Sequence, residues 1–254
     1  MGAKPSLAWE QELSRVIAFD VNETLLDLRG LDAVFEETLG DRAIRPQWFQ
    51  TMLQLAFVGT ITGRYIDFTA AQHAALRVIA ARGAVSVSSE QAERIVGAMQ
   101  RLPAHPDAVP ALDRLLGAGR TLITLTNSPL GVVEAQLRFA GIRDRFAHVV
   151  SADEVKRLKP APEAYRHAAA RAGTDVGGMR LVAAHAWDIA GALAAGCAAA
   201  FVKRPGMALD PAGERPDIEG NDLIEVAENI LKIDRYARPL ARRGRALLRF
   251  SRSC

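Results

Sequence analysis

The fold of this chain is indicated by ten residues, 16–25, which read VIAFDVNETL. Four apolar residues, two of them β-branched, run directly into Asp20, and a polar turn leads on to Thr24. This pattern is typical of a buried β-strand that presents a carboxylate at its C-terminal end. Ligands of open α/β sheets bind at that end, so Asp20 is a candidate nucleophile beside the Thr24 hydroxyl. A strand that simply ends in a turn-forming Asp is the alternative.

The composition is that of a globular protein with one large domain or two small ones. The chain has 254 residues, of which 49% are hydrophobic and 24% are charged. No apolar run approaches the length of a membrane span, and no secretory signal precedes Trp9. The only cysteines are Cys197 and Cys254, too few for a disulfide framework, which favours a reducing cytoplasm. Cys197 is expected to be a buried small hydrophobe.

The basic character of the chain is concentrated at its C-terminus. Seven arginines and one acid give residues 234–254 a charge of +6, so that residues 1–233 carry −3 of the net +3. The body of the chain therefore gives no electrostatic reason to expect nucleic-acid binding. The tail is interpreted either as a solvated extension or as a segment that touches an anionic surface, since apolar residues are interleaved with its arginines.

The rest of the chain alternates between helical and strand patterns. Residues 31–101 show apolar spacing typical of amphipathic helices, with a helix start at Ser88 and Gln91. Further on, strands are predicted at residues 121–125, 148–150, 179–184 and 198–202. Helices are predicted between and after them, at residues 106–118, 129–140, 162–172, 188–195 and 223–231. Repeated βα units of this kind predict a parallel sheet covered on both faces.

Four predicted strand ends carry polar side chains. They are Asp20 with Thr24, Thr126 with Asn127, Lys159, and His185 with Asp188. Because parallel strands end at one edge of the sheet, these groups are expected to share a pocket. Each has a plainer explanation on its own: helix capping for Asp188, Thr126 and Asn127, and a solvated charge for Lys159. Their combination in this order favours a site.

The order and spacing resemble the four motifs of the haloacid dehalogenase-like (HAD) hydrolases. Asp20 matches the nucleophile, Thr126 the Ser/Thr that bonds the reacting group, Lys159-Pro160 the lysine motif and Asp188 the final acid. The resemblance implies an α/β fold with a Rossmann-like parallel sheet core at residues 14–30 and 103–233. It also implies an inserted α-helical cap at residues 31–102, leaving 234–254 as the basic Arg-rich tail.

Two features separate this chain from the phosphatases of that family. Those enzymes need an Asp two residues after the nucleophile, where this chain has Asn22, which cannot exchange a proton at neutral pH. They also bind Mg²⁺ through several acids, and here only Asp20 and Asp188 are available as ligands. A Mg²⁺-dependent small-molecule phosphatase is the alternative function. A catalytically weak relative that binds a small acid or a protein is the second.

The chain is more similar to the type II 2-haloacid dehalogenases, the L-2-haloacid dehalogenases. Ala186-Trp187-Asp188 reproduces the end of their last motif. The resemblance implies hydrolytic dehalogenation of a small (S)-2-haloacid through an aspartyl ester on Asp20, without a metal or other cofactor. Thr24, Thr126, Asn127 and Lys159 would orient Asp20 and stabilise its charge, and Asp188 would orient Lys159 or the water. The expected substrate-binding residues are Asn22, Phe49, Gln50, Arg64, Phe68, Tyr165 and Trp187.

Three positions differ from that family pattern. Phe49 stands where the dehalogenases have the Arg that binds the leaving halide. His185 stands in place of an Asn, and Asn22-Glu23 replaces an aromatic residue and a Gly after the nucleophile. His185 is either a general base for ester hydrolysis or a packing residue, and Trp187 is either a pocket wall or a seal between cap and core. The resemblance also allows a homodimer.

Overall fold

The protein is an α/β structure built on one parallel sheet, as predicted. The computed structural model describes residues 16–83 and 86–233. Six parallel strands lie in the order β3-β2-β1-β4-β5-β6. Their bounds are β1 Val16–Phe19, β2 Thr121–Thr126, β3 His148–Ser151, β4 Met179–Ala183, β5 Ala198–Val202 and β6 Ile218–Gly220.

The sequence pattern predicts five of these strands and misses β6. That strand has only three residues, and its central Glu219 is exposed, so it shows no apolar run. It is extended because its backbone pairs with β5, which brings Ile218 opposite Ala200. This contact is non-local, and local propensity does not reveal it.

The helices alternate with the strands. Their bounds are α1 Asp32–Leu39, α2 Ile44–Ile61, α3 Phe68–Ala81, α4 Ser89–Ala98, α5 Ala108–Gly117, α6 Leu130–Phe139, α7 Pro162–Arg171, α8 Ala186–Ala195 and α9, residues 223–233. Short 3₁₀ turns lie at Leu28–Leu31, Met99–Arg101, Arg143–Arg145 and Ala152–Val155.

The four helices α1–α4 form an insertion between β1 and β2. The described residues of this insertion contain helices and turns but no strand of the sheet. The predicted helix start is confirmed, because Ser88 and Gln91 form a reciprocal capping box at α4. The Trp48 indole donates to the Gln72 carbonyl oxygen (3.0 Å) and thereby ties α2 to α3.

The apolar run at 16–19 is explained by burial on both faces of the sheet. Ile17 and Phe19 pack into one hydrophobic cluster, and Val16 and Ala18 pack into another. A central parallel strand therefore reads as a continuous apolar segment instead of an alternating one. Among the described helices, none is long and apolar enough to cross a membrane.

The prediction for Cys197 can be compared with the structure, whereas those for the two ends of the chain fall outside the described residues. Cys197 is buried, as expected, and its pKa is raised to about 12 by burial. The arginine-rich tail at 234–254 and the first residues of the predicted core, 14 and 15, lie outside the described part of the chain.

The turn after β1 is fixed by a buried arginine from the loop after β5. Arg204, which follows β5, donates from its Nη2 to the Thr24 carbonyl oxygen (2.8 Å). Its Nη1 bonds to Asp107 Oδ2 (2.7 Å), and that oxygen also accepts from the Leu223 amide (2.7 Å). One guanidinium thus joins the nucleophile turn to the starts of α5 and α9.

We expect Arg204→Ala to lower the free energy of unfolding by about 3 kcal/mol, because it removes a buried guanidinium and leaves the partly buried Asp107 without its counter-charge and the Thr24 carbonyl oxygen without its donor. Urea denaturation with the same probe on both proteins measures this. The matched control is Arg215→Ala, which removes an exposed guanidinium near Glu219 and should change stability by less than about 0.5 kcal/mol. Equal effects in the two variants would contradict the structural role of Arg204.

Candidate active site

The predicted polar residues do meet at the C-terminal edge of the sheet. Asp20 follows β1, Asn127 follows β2 and His185 follows β4, so the parallel arrangement puts all three at one edge. Lys159 reaches the same place from the loop before α7. Asp188 lies in the first turn of α8.

The Asp20 carboxylate is almost fully buried and accepts hydrogen bonds from two side chains. Its Oδ1 accepts from Lys159 Nζ (2.9 Å), and its Oδ2 accepts from Thr24 Oγ1 (2.7 Å). The Thr24 oxygen in turn accepts from the Ala184 amide (3.0 Å), which fixes the direction of its proton toward Asp20. The Asp20 amide donates to the Val182 carbonyl oxygen (3.0 Å). Both the backbone and the side chain of Asp20 are therefore positioned.

Lys159 is a fully buried ammonium group between two acids. Besides Asp20, its Nζ donates to Asp188 Oδ2 (2.6 Å). The other oxygen of Asp188 accepts from the Tyr165 hydroxyl (2.6 Å). The four side chains form a continuous chain, Asp20–Lys159–Asp188–Tyr165, in which every charge has an opposite charge or a hydrogen bond.

Burial and pairing act in opposite directions on these groups. Burial raises the pKa of the Asp20 carboxyl, but the charges of Lys159 and His185 outweigh it and hold that pKa well below its ordinary value. Burial lowers the pKa of Lys159, and the two acids more than restore it. The pKa of Asp188 is raised, mainly by burial and against the pull of Lys159. Asp20 is therefore ionised and Lys159 is charged at neutral pH.

Asn127 holds Lys159 and does not face Asp20. The Lys159 amide donates to Asn127 Oδ1 (2.7 Å), and Asn127 Nδ2 donates to the Lys159 carbonyl oxygen (3.1 Å). Thr126 Oγ1 accepts from the Ser128 amide (3.2 Å) and shapes the loop after β2. The contacts of Asn127 thus hold the backbone of Lys159, and the contact of Thr126 lies within the loop after β2. The resemblance implied that Thr126 bonds the reacting group and that both residues orient Asp20 and stabilise its charge.

His185 joins Asp20 to an acid in the nucleophile turn. Its Nε2 lies 2.8 Å from Glu23 Oε2, and its Nδ1 lies 3.3 Å from Asp20 Oδ2. The Nδ1 contact has ion-pair distance but not hydrogen-bond alignment. Burial lowers the pKa of His185, but the two neighbouring acids, Asp20 and Glu23, prevail and raise it to about 9.

Aromatic rings from the insertion and the sheet edge line His185. Its ring stacks with Phe49 (centroids 6.2 Å apart) and with Trp187 (5.1 Å). Trp187 also meets Phe57 of α2 edge-on at 5.1 Å and lies 5.7 Å from Lys159 Nζ. Trp187 therefore borders the charged cluster and also closes the gap between α2 and α8. Both alternatives for this residue, a pocket wall and a seal between cap and core, are compatible with these contacts.

The other predicted substrate-binding residues fall into two groups. Phe68 is buried at the start of α3, and Tyr165 is engaged by Asp188. Asn22 Nδ2 donates to Ser128 Oγ (3.2 Å), and Asn22 Oδ1 accepts from Gln136 Nε2 (3.1 Å). Gln50 and Arg64 are exposed on the insertion, and no described contact joins either of them to the Asp20 cluster.

Glu23 is the main residue of the cluster that the sequence reasoning did not name as a site residue. It has a φ of +63°, in the left-handed region that favours glycine. Its only signal in the sequence was a charged residue at a turn position where the dehalogenases have Gly. Arg204, Ser128 and Gln136 were also missed, because each acts through contacts distant in sequence.

The donor set does not fit a divalent cation. Asp20 and Asp188, the ligands that a phosphatase would use, are both bonded to the Lys159 ammonium. Within residues 16–83 and 86–233, no three His, Cys, Asp or Glu side chains are grouped so that they could hold a metal ion. A cation at Asp20 would have to displace Lys159 from both acids.

The close approach of α8 to the lysine loop depends on Gly191. A Cβ there would lie 2.6 Å from Pro160 Cβ and would also meet the Tyr165 hydroxyl. We expect Gly191→Ala to cost about 1–3 kcal/mol of stability, because the neighbours must shift. Urea denaturation tests this against Gly131→Ala in α6, where a Cβ meets nothing within 4 Å. The control should be neutral or stabilising, and a neutral Gly191→Ala would contradict the packing argument.

The charge on His185 links stability to pH. Folding raises its pKa from 6.5 to about 9, so its contribution is complete below pH 6.5 and is lost as the pH rises to about 9. We expect the difference in unfolding free energy between the unmodified protein and His185→Asn to shrink over this range. Urea unfolding at several pH values measures it, and a difference that grows with pH would refute the assignment.

Comparison with known proteins agrees with this geometry. Residues 14–196 match the family model of the haloacid dehalogenase-like hydrolases. An (S)-2-haloacid dehalogenase of Pseudomonas sp. (strain YL) is 28% identical over 84% of this chain and 92% of its own. (S)-2-haloacid dehalogenase 1 of Pseudomonas sp. (strain CBS-3) is 30% identical over 72% of this chain and 81% of its own.

A solved structure agrees in fold. The L-2-haloacid dehalogenase of Xanthobacter autotrophicus superposes with a TM-score of 0.79 at 23% identity, covering 84% of this chain and 97% of that one. With the family model spanning most of its length, this chain belongs to the haloacid dehalogenase-like hydrolases.

Proposed function

We propose that this protein hydrolyses the carbon–halogen bond of a small (S)-2-haloacid, with Asp20 as the nucleophile and without a metal ion. The observation that carries the proposal is the buried, ionised Asp20 carboxylate, whose Oδ1 accepts a hydrogen bond from the Lys159 ammonium. The names of the relatives support the substrate class. No observation at the site favours a phosphatase or a binding protein.

The first step is a displacement at carbon. A carboxylate oxygen of Asp20 attacks the carbon that carries the halogen, and the halide leaves with the bonding electron pair. Among the described contacts, Oδ1 is bonded only to Lys159, whereas Oδ2 meets both Thr24 and His185. Oδ1 therefore has the freer lone pair, and it is the attacking atom in this proposal. The product of the step is an ester on Asp20.

The second step restores the enzyme. Water adds to the carboxyl carbon of the ester, and the tetrahedral intermediate collapses to release the 2-hydroxy acid. Lys159 Nζ and Thr24 Oγ1 are hydrogen-bonded to the carboxyl oxygens before reaction. In an ester made through Oδ1 the carbonyl oxygen is Oδ2, so Thr24 is in position to stabilise the oxyanion that forms on Oδ2, and Lys159 is in position to stabilise the negative charge that develops on Oδ1 as the product leaves. Asn127, Asp188 and Tyr165 act as positioning residues, because their contacts hold Lys159.

The substrate would bind between the sheet edge and the insertion. Phe49, Phe68 and Trp187 provide apolar surface for the carbon skeleton and the leaving group. Asp20 is only 5% exposed, so entry requires residues 31–102 to move as a cap. Arg157 Nη1, which donates to the Thr60 carbonyl oxygen (2.8 Å), and the Tyr65–Asp153 hydrogen bond would open in that movement.

Three further features of the protein concern the cap residues, the oligomeric state and the location. Gln50 and Arg64 would contact the substrate only after the cap has moved. A homodimer through the insertion is supported by two exposed apolar residues of α2, Val58 (50% exposed) and Ile61 (82%). A cytoplasmic location is supported by the low cysteine content. We propose no nucleic-acid partner.

The proposal is tested by halide release from racemic 2-chloropropionate, chloroacetate and fluoroacetate in the presence of EDTA. We expect halide and 2-hydroxy acid in equal amounts, undiminished by the chelator. Asp20→Asn should lower the rate more than about a thousandfold, because it removes the nucleophile. Asp113→Asn makes the same chemical change at the surface and should leave the rate unaltered.

The contrary results are distinct. No halide from any of these acids would contradict the proposal for this substrate class. Release of phosphate from a panel of phosphate esters, dependent on Mg²⁺ and absent with EDTA, would favour the phosphatase alternative.

A further inference from the structure

We propose that His185 is the catalytic base of the second half-reaction, accepting a proton from the water that hydrolyses the Asp20 ester, and that Glu23 positions it. This inference rests on the proposed function, since it requires an ester on Asp20. It assigns a task to two residues at which this chain differs from the pattern of the dehalogenases.

The position of the Nδ1 atom of His185 is the first support. This nitrogen is buried, lacks a hydrogen-bond partner among the described residues, and lies 3.3 Å from Asp20 Oδ2. A group at that distance from a carboxyl oxygen can reach a water placed over the carboxyl carbon. It lies on the side of the nucleophile and cannot also face a halide that departs in line from the opposite side of the carbon.

Glu23 fixes the tautomer. An ionised carboxylate can only accept, so Nε2 of His185 must carry a proton toward Glu23 Oε2 (2.8 Å). In the neutral ring the lone pair is then on Nδ1, next to Asp20. The left-handed backbone at Glu23 puts a carboxylate in the turn directly after the nucleophile, where a glycine would supply none.

No other described group around Asp20 is free to take a proton. Lys159 is charged and donates to both acids. Both oxygens of Asp188 accept hydrogen bonds, from Lys159 and Tyr165. Thr24 donates to Asp20. Phe49 and Trp187 stack with the His185 ring. Neither of the two side chains carries a charge, and both cover faces of the imidazole.

The reaction itself changes the charge that His185 meets. While Asp20 is ionised, the anion beside Nδ1 favours the imidazolium form. Ester formation removes that anion, and the ring then releases its proton to solvent. The net reaction produces one H⁺ and one halide ion per substrate, and this is that H⁺. The neutral ring then accepts a proton from water as the oxygen bonds to carbon.

The remaining protons balance. Collapse of the intermediate breaks the bond between the carboxyl carbon and Oδ1, which leaves as the alkoxide oxygen of the product and takes the proton from His185, while the oxygen of the water remains on Asp20. The Asp20 carboxylic acid then gives its own proton to the ring. The cycle ends with ionised Asp20 and protonated His185, as it began.

The test is a rapid-mix reaction of His185→Asn with 2-chloropropionate, followed by halide analysis and intact-protein mass spectrometry. We expect one halide per site to be released quickly, followed by turnover at least about a hundredfold slower than in the unmodified protein. A covalent adduct of substrate minus hydrogen halide should accumulate on Asp20. The matched control is His167→Asn, which removes an imidazole 3.4 Å from Glu154 on the far side of α7 and should show no adduct.

Glu23→Gln provides a second, milder variant that keeps the size of the side chain. We expect slower decay of the adduct and a shift of the pH profile of that decay to lower pH, because the ring loses a neighbouring negative charge. A purely structural role for Glu23 would not move the pH profile. If His185→Asn does not fold, this variant carries the test.

The possible failures can be told apart. If His185→Asn turns over the substrate at the rate of the unmodified protein and no adduct accumulates, the assignment of His185 is overturned. If His185→Asn folds but neither releases halide nor forms the adduct, His185 acts before ester formation, and this result would also overturn its assignment as the base of the second half-reaction. If the unmodified protein releases no halide, the proposed function has failed first.

Discussion

A buried ammonium group determines much of this structure. Lys159 Nζ is fully enclosed, and the cost of removing a charge from water is several kcal/mol unless it is paired and hydrogen-bonded. Asp20 and Asp188 supply the pairing, Tyr165 satisfies the remaining oxygen of Asp188, and Asn127 holds the lysine backbone. These contacts join β1, β2, the loop before α7 and α8 at one point. The same cation that stabilises the edge of the sheet keeps Asp20, the proposed nucleophile, ionised.

The three departures from the dehalogenase pattern are neighbours in space. Phe49 stacks with His185, and His185 bonds to Glu23. They come from α2, the end of β4 and the turn after β1, so their proximity is a property of the tertiary structure. The three residues form a complementary set, in which an acid pairs with the imidazole and an aromatic ring covers its face. The arrangement favours a site in which Phe49, His185 and Glu23 changed together, and it is compatible with an active enzyme.

Sequence alone predicted what depends on local pattern and strand order. The apolar run at 16–19 indicated the central strand, and the strand ends indicated Asp20, Lys159 and Asp188 as a cluster, which the geometry brings together. It could not predict β6, which is made by pairing with β5. It could not predict that Asn127 holds Lys159 or that Asn22 bonds to Gln136, because rotamers and long-range contacts decide both. Glu23 was noticed as an unusual residue, but its partner was not evident.

The charges of the cluster also constrain how an acidic substrate can bind. Asp20, Asp188 and Glu23 are acids, and the two cations near them, Lys159 and His185, are already paired with those acids. A substrate carboxylate entering this site brings one more negative charge into a water-poor environment, where an unpaired charge is costly. Its counter-charge or hydrogen-bond donors must therefore come from the insertion. Arg64, exposed on the α2–α3 connection, is a cation on that side. Cap closure would then both exclude water and complete the charge balance, so that substrate binding and catalysis depend on the same movement.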